Sequence, residues 1–390
     1  MYNNSTATCD LNRLLNVYFE DKVKIRRNET KQVTEVVQEI VDNILKAVNN
    51  VDPRFARPNE TKHVGSYYQG LKVKRSDEFD ITVPMTSVPT LVWGSYTDRY
   101  YGFNRPVPES QTTVPNDLTV VRKDVPLPLP PTGQMVVSLK NDICGRQHAD
   151  LMFDGDLIPF YVRRLFKRLV TDAIRDLGLR EKVRVSKLVH GPAITLKITT
   201  RKLPFEVSVD LAPMCDSKLH FKSCINWPRR EARWPPAEKI EMIKAIGISA
   251  VAKKDFNWTL SFAGCEKELI IHIDANEGVR KECHRIMKSC REECWCPNGI
   301  KQVLTSYHLK NLLFWACEQN PLDGDWTQDK LAERFLGMTR QLLAHLRQRN
   351  LPMYFYPKIN LFKEKDAEYL DQVAERVEKF LYDPVAKFSS

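Results

Sequence analysis

Two acidic residues spaced two apart, just downstream of a Gly-Ser turn, constrain this chain more than any other feature. Gly65-Ser66-Tyr67-Tyr68 is followed by Glu78-Phe79-Asp80. In an alternating run, successive strand side chains point to opposite faces. Glu78 and Asp80 therefore share one face, while Phe79 and Ile81 point into a core. Two carboxylates side by side repel each other unless a cation sits between them. A hard cation such as Mg²⁺ takes carboxylate and phosphate oxygens, so the pattern points to metal-dependent phosphoryl or nucleotidyl transfer. A third acid is needed to hold two such ions. Asp210 supplies it, in a run where Phe205, Val207 and Val209 alternate inward and Glu206, Ser208 and Asp210 share the other face. Taken alone, an E-x-D reads as solvent-facing acids on an ordinary strand. The Gly-Ser turn and the second acidic strand argue against that.

The 390 residues allow one or two domains with a sizeable core. A hydrophobic share of 43% and a charged share of 28% suit a globular chain, and no apolar run reaches the length of a membrane span. The beginning, Met1-Tyr2-Asn3-Asn4-Ser5, lacks the basic head and apolar stretch of a secretory signal. Ten cysteines in that context are expected to be reduced thiols, which predicts a cytoplasmic protein. The net charge of +10 favours a polyanionic partner or an anionic substrate. Basic residues cluster at 22–27, 163–168, 180–187 and 281–291. Arg163, Arg164, Lys167, Arg168 and Arg175 recur at helical spacing as a stripe. Such a stripe is either a solvated face or a footprint for a nucleic-acid backbone.

Periodicity predicts helices near 10–20 and 29–49, the second carrying Val33, Val37, Val41, Ile44 and Val48 on one side. Strands are expected near 71–75 and 79–84. A proline-rich stretch over 86–133 reads as an extended insertion that Tyr96, Tyr100, Tyr101 and Phe103 could pack down. A strand at 135–139, a helix at 156–177 and strands near 182–189, 193–199 and 204–211 complete a mixed sheet. The Trp- and Pro-rich tract at 227–236 resists regular structure and looks like a lobe connection. A short strand or turn at 258–262 is followed by helices near 277–293, 301–318, 327–348 and 365–381. The prediction is an α+β chain. A mixed-sheet lobe with N-terminal helices spans 1–225, a helical lobe spans 226–390, and the active-site cleft lies between them.

The ordered motifs resemble the nucleotidyltransferase superfamily. They resemble most closely the Mab-21-like group, which includes the cyclic GMP-AMP synthases and the invertebrate cGAS-like receptors. The resemblance rests on Gly65-Ser66-Tyr67-Tyr68-Gln69-Gly70-Leu71-Lys72-Val73, Glu78-Phe79-Asp80, Val207-Ser208-Val209-Asp210, Leu260-Ser261-Phe262, Glu266-Lys267-Glu268 and Ser306-Tyr307-His308-Leu309-Lys310. It runs from about residue 30 to the end. It implies a nucleotidyltransferase that makes a cyclic dinucleotide, a second messenger of innate immunity, from ATP and/or GTP. Glu78, Asp80 and Asp210 would be catalytic and hold two Mg²⁺ or Mn²⁺ ions, with Asp210 nearest the nucleophile. Gly65 lets the backbone approach closely, and the Ser66 hydroxyl would hold terminal phosphates. By the same resemblance Tyr307 stacks on a base, Ser306 and Lys310 touch phosphates or sugar, Lys288 contacts nucleotide, and Ser261 sits at a base edge. His308 reads as structural.

Departures from the family pattern limit what carries over. Thr259 stands where the synthases read a base with an arginine, and a threonine cannot make the arginine fork. Val64 stands where the vertebrate enzyme has a threonine. His272, His284, Cys290, Cys294 and Cys296 form the pool for a zinc site, but their spacing does not suit a compact knuckle and the synthases' zinc thumb is missing, so zinc is not expected. Without the thumb, double-stranded DNA is a weaker expectation as activator; double-stranded RNA and an unidentified activator stay equally open. Lys22, Lys24, Arg26, Arg27 and the 163–175 stripe are the candidate contacts. Oligomerisation on activation stays open. Two alternatives stay open as well: a catalytically silent Mab-21-like scaffold or nucleotide-binding protein, and a linear nucleotidyltransferase.

Overall fold

The computed structural model describes residues 4–25, 27–73, 75, 77–85, 136–137, 150–153, 156–186, 193–219, 227–252, 258–297 and 303–389. The whole of the proline-rich insertion expected at 86–133 lies outside the described residues, its four named aromatics included. The chain is an α+β protein with one mixed sheet and a following set of helices. Ten strands are described: β1 (Lys62–Val64), β2 (Glu78–Met85), β3 (Val136–Val137), β4 (Met152–Phe153), β5 (Asp156–Leu157), β6 (Val183–Val185), β7 (Ile194–Ile198), β8 (Val207–Leu219), β9 (Ile248–Ala252) and β10 (Trp258–Ser261). Eight of them form the main sheet in the order β1-β2-β8-β9-β10-β3, with β7 also on β8 and β6 on β7.

The long strand β8 organises the sheet. It pairs in parallel with β2 along 208–215, while its other edge takes β7 antiparallel over its first half and β9 over its second. Alternation explains the burial. Phe79, Ile81 and Val83 on β2, and Val207, Val209 and Leu211 on β8, are at most 1% exposed. Phe205, expected to point inward, is only half-buried, with the Arg75 guanidinium 5.3 Å from its ring centroid. Two strands of this sheet, β9 and β10, lie beyond residue 225 in the chain.

Two helices lie against this lobe: α2 (Arg27–Val51), which buries Val33, Val37, Val41, Ile44 and Val48 as its spacing predicts, and α4 (Pro159–Asp176). Between them in sequence is the short α3 (Gly65–Tyr68), packed on β2. The first helix, α1 (Asn4–Tyr18), instead packs against α9 (Leu331–Gln348) and α11 (Pro384–Phe388) of the helical lobe. Leu331, Phe335, Met338, Leu342 and Leu346 form that lobe's core. The connecting tract is irregular, as expected. It is anchored by Trp227 against Phe355 at 5.0 Å and by Arg229, which lies 4.3 Å from the Trp315 ring and ion-pairs with Glu318.

One expected strand is absent. Leu71, Lys72, Val73 and Arg75 have no regular structure, and the strand begins at Glu78. The reason lies in α7 (Arg280–Cys290) of the helical lobe. Arg285 Nε donates to the Lys72 carbonyl at 3.1 Å and Lys288 Nζ to the Leu71 carbonyl at 2.9 Å. Backbone acceptors engaged by side chains in this way are not available to a sheet ladder.

Phe79 packs 4.5 Å from the Tyr67 ring directly beneath the acidic face. Phe79→Ala should cost about 3–5 kcal/mol of unfolding free energy in denaturant titration, the usual cost of deleting a buried phenyl ring.

Candidate active site

The register of β2 against β8 brings the acids together. Asp80 lies beside Asp210, and Glu78 beside Ser208, with all four side chains on one face. One carboxylate oxygen from each of Glu78, Asp80 and Asp210 lies within 4.8 Å of the others. Burial, and then the neighbouring charges of Glu78 and Asp210, push Asp80 up to about 6 from an ordinary 3.8. A cluster made wholly of carboxylate oxygens, with one member made harder to ionise by the rest, fits a hard divalent cation.

Three neighbours set this geometry. Gly65 stands in the left-handed region at φ +78°, and a Cβ built there would lie 1.8 Å from Asp80 Oδ2. The position therefore admits only glycine, both for backbone conformation and for room. On the far side of β8, Thr195 pairs with Asp210 across the sheet and donates its hydroxyl to Asp210 Oδ1 at 2.5 Å. Lys72 Nζ lies 3.0 Å from Glu78 Oε2 and 3.1 Å from Asp77 Oδ1.

Of the three acids, Glu78 opens onto a cavity of about 490 Å³ between the lobes, whose lining includes Ser66 and Lys72 from one lobe and Lys288, Arg291 and Ser306 from the other. Lys288 is 4% exposed. Burial lowers it to about 8, and the nearby cations Lys72 and Arg291 add to the effect. Ser306 opens α8 (Ser306–Gln319).

Two family models match the chain. The Mab-21 protein nucleotidyltransferase domain covers residues 67–272, and the Mab-21 protein HhH/H2TH-like domain covers residues 279–379. The chain belongs to the Mab-21 family. It is 28% identical to protein mab-21-like 3 of Danio rerio over 95% of this chain and 97% of that protein. It is likewise 28% identical to protein mab-21-like 3 of Xenopus laevis over 92% of each. The sheet lobe is thus a nucleotidyltransferase domain, and the helices that follow are the Mab-21 C-terminal domain.

Within this Mab-21 fold the residues singled out from sequence are not all in one place. Glu78, Ser66, Lys288 and Ser306 line the cavity, with Gly65 against Asp80 and Asp210 beside it. Lys310 lies elsewhere: it is ion-paired with the buried Glu266 and 3.5 Å from Gln69 Oε1. The Tyr307 ring is half-buried against the core, 5.3 Å from the Lys310 ammonium. Ser261 ends β10 and accepts from the Ala263 amide at 3.4 Å. The Thr259 hydroxyl is buried with no hydrogen-bond partner among the described residues. His308 is structural, its Nδ1 accepting from the Thr305 amide at 3.0 Å.

Among the described residues, the acid triad is the one group of three or more His, Cys, Asp or Glu side chains placed to share an ion; the cysteine-rich tract forms none. Cys283, Cys290 and Cys296 are buried thiols, and His284 is buried and held far below the usual histidine range by burial. The 281–291 cluster is largely interior rather than a displayed basic face, with Arg285 and Lys288 committed to carbonyls of the other lobe. Sequence reasoning missed Thr195, Lys72 and Arg291. The polar-apolar alternation of β7 carried a signal for Thr195; Lys72 lay inside the Gly65–Val73 motif and Arg291 at the end of the 281–291 basic cluster, but neither signal assigned them to the site.

Gly65→Ala should weaken Mn²⁺ binding by about 10-fold or more in calorimetric titration, with circular dichroism unchanged, because the new methyl must displace the Asp80 carboxylate. Asp80 also gives a pH signature. Its folded value lies above its unfolded one, so its contribution to apo stability is present in acid and is lost as pH rises through about 6. A cation competes with that proton. The melting-temperature gain from Mg²⁺ should therefore grow between about pH 5 and about pH 7.5.

Proposed function

We propose that the protein is a metal-dependent nucleotidyltransferase that joins ATP and/or GTP into a cyclic dinucleotide second messenger, as the cGAS-like receptors of this family do. The observation that carries the reading is the convergence of Glu78, Asp80 and Asp210 within 4.8 Å beside a cavity whose opposite wall holds Lys288 and Ser306. Two Mg²⁺ or Mn²⁺ ions, when bound, supply charge neutralisation of the triphosphate and activation of the attacking ribose hydroxyl.

The chain's own residues supply the positioning. Glu78 and Asp80 present their carboxylates on one face of β2, and Gly65 leaves Asp80 the space to do so. Thr195 holds Asp210 through Oδ1, which orients the acid assigned nearest to the nucleophile. Ser66, Lys288 and Ser306 receive phosphates at the cavity wall. Ser261, Tyr307 and Lys310 serve the base and sugar, and for Lys310 to reach a nucleotide it must leave Glu266. Without an arginine at Thr259, stacking contributes more than fork recognition to base choice, which tolerates different bases.

A polyanion, double-stranded RNA above all, is the proposed activator. Support comes from α4, where Arg164, Lys167 and Arg168 are exposed on one stretch. Arg175, at the end of that stripe, is ion-paired with Asp172 and Asp176, each at 2.7 Å, and adds less. Arg26 lies outside the described residues, while Lys22 and Lys24 are exposed. Action in the cytoplasm and oligomerisation on activation belong to the same reading.

One observation favours a second reading, a Mab-21 scaffold without catalysis. Lys72 already occupies Glu78, and the Leu71 carbonyl already engages Lys288, so two groups of the site are satisfied within the chain. Product analysis by mass spectrometry, with ATP plus GTP, Mg²⁺ or Mn²⁺ and a panel of nucleic acids, separates the readings. Cyclic product is expected. Asp210→Asn should lower its formation by about 100-fold or more at unchanged melting temperature. Open oligomers would identify a linear transferase, and no product under any condition would leave the scaffold.

A further inference from the structure

Lys72, Arg75, Asp77 and Glu78 line one wall of the cavity together. The Lys72 ammonium stands between two carboxylates, 3.0 Å from Glu78 Oε2 and 3.1 Å from Asp77 Oδ1. The two acids differ in what else surrounds them. Asp77 precedes β2, and its other oxygen, Oδ2, takes Arg75 Nε at 2.8 Å. Glu78 opens β2 and belongs to the triad whose oxygens converge within 4.8 Å. Lys72 is therefore shared between an acid placed to ligate a metal ion and an acid that has a second cation beside it. The lysine cannot withdraw far. Its side chain is 11% exposed, against 53% for Glu78, and its carbonyl accepts from Arg285 Nε at 3.1 Å. The preceding carbonyl, of Leu71, accepts from Lys288 Nζ at 2.9 Å. With the backbone fixed by α7, what remains free to move is the flexible four-carbon stem.

We infer that Lys72 is a positioning residue that sets the metal affinity of the triad: it holds Glu78 until a divalent cation takes that carboxylate, and Asp77 then keeps the displaced ammonium. The inference rests on the metal-dependent reading above and adds to it roles for Lys72 and Asp77. An ammonium carries three donors, so it can serve two carboxylates at once or withdraw to one. A divalent ion and an ammonium compete for the same oxygens, and like charges a few ångströms apart oppose each other. Arg75 fixes Asp77 in place as the second partner, so the exchange needs a short swing of one side chain and no movement of the strand.

Calorimetric titration of the full chain with Mn²⁺ tests this. Lys72→Met removes the competing cation, so Mn²⁺ should bind about 10-fold more tightly, and the melting-temperature gain at a fixed Mn²⁺ concentration should rise with it. Lys72→Gln carries the test if the methionine variant is destabilised. Asp77→Asn leaves the ammonium to Glu78, so Mn²⁺ should bind about 10-fold less tightly. Loss of a nearby negative charge would weaken a cation in any case, so the double variant decides. If Asp77 acts through Lys72, adding Asp77→Asn to Lys72→Met should change Mn²⁺ affinity by less than about 2-fold. Mn²⁺ binding that is unchanged or weaker in both Lys72 variants would overturn the role of Lys72 while leaving the metal reading intact. Additive effects in the double variant would overturn the role of Asp77. Binding that emerges only once Lys72 is replaced would support the inference. Mn²⁺ bound neither by the wild-type chain nor by the Lys72 variants would remove the metal reading itself, and this inference with it.

Discussion

Parallel pairing of β2 with β8 sets Asp80 beside Asp210, and much of the local structure can be understood as the means of tolerating that arrangement. Burial, and then the like charges of Glu78 and Asp210, disfavour ionisation of Asp80 and push it up to about 6. The surroundings limit the cost without removing it. Gly65 leaves a gap that any side chain would fill, Thr195 donates to Asp210, and the Lys72 ammonium rests on Glu78. The apolar face beneath, with Phe79 and Val209 fully buried, fixes the register, because a one-residue slip would turn the acids into the core.

The helical lobe is coupled to this site through backbone atoms. Arg285 and Lys288 of α7 hold the carbonyls of Lys72 and Leu71, and Arg285 also reaches the Val23 carbonyl at 3.0 Å. The same loop that delivers Lys72 to the acids is therefore held by the wall that presents Lys288 to the cavity. Any rearrangement of α7 relative to the sheet alters both walls at once. The first helix joins this coupling, since the Tyr18 hydroxyl lies 2.8 Å from Ser289 Oγ and 2.9 Å from Glu293 Oε2 on the segment that carries Lys288 and Arg291.

Membership of the Mab-21 family accounts for the two-part architecture, a nucleotidyltransferase domain followed by a helical C-terminal domain. The residues that would choose among bases follow a different logic. A buried threonine hydroxyl stands at 259 with no hydrogen-bond partner among the described residues, and Tyr307 lies against the core beside Lys310. A lone hydroxyl offers one donor and limited acceptor capacity and cannot present a charged fork.

Local pattern alone pointed to strands near 79–84 and 204–211 and a helix near 29–49, which the structure has at 78–85, 207–219 and 27–51, and to the apolar stripe of 331–346 and the pairing of Glu78 with Asp80 on one face. Each of these depends on a period of two or 3.6 residues, which neighbouring positions suffice to display. Pattern failed at 71–75, where alternation suggested a strand but the helical lobe captures the carbonyls. It could not reveal that Lys72 would meet Glu78, that Thr195 would hold Asp210, or that Arg291 would face the acids across a cavity. Those contacts join residues brought together by strand register and lobe packing. The sequence thus determined which faces are acidic and which are apolar. Only the tertiary structure decided which charges meet, because distance through space, rather than along the chain, governs electrostatic energy.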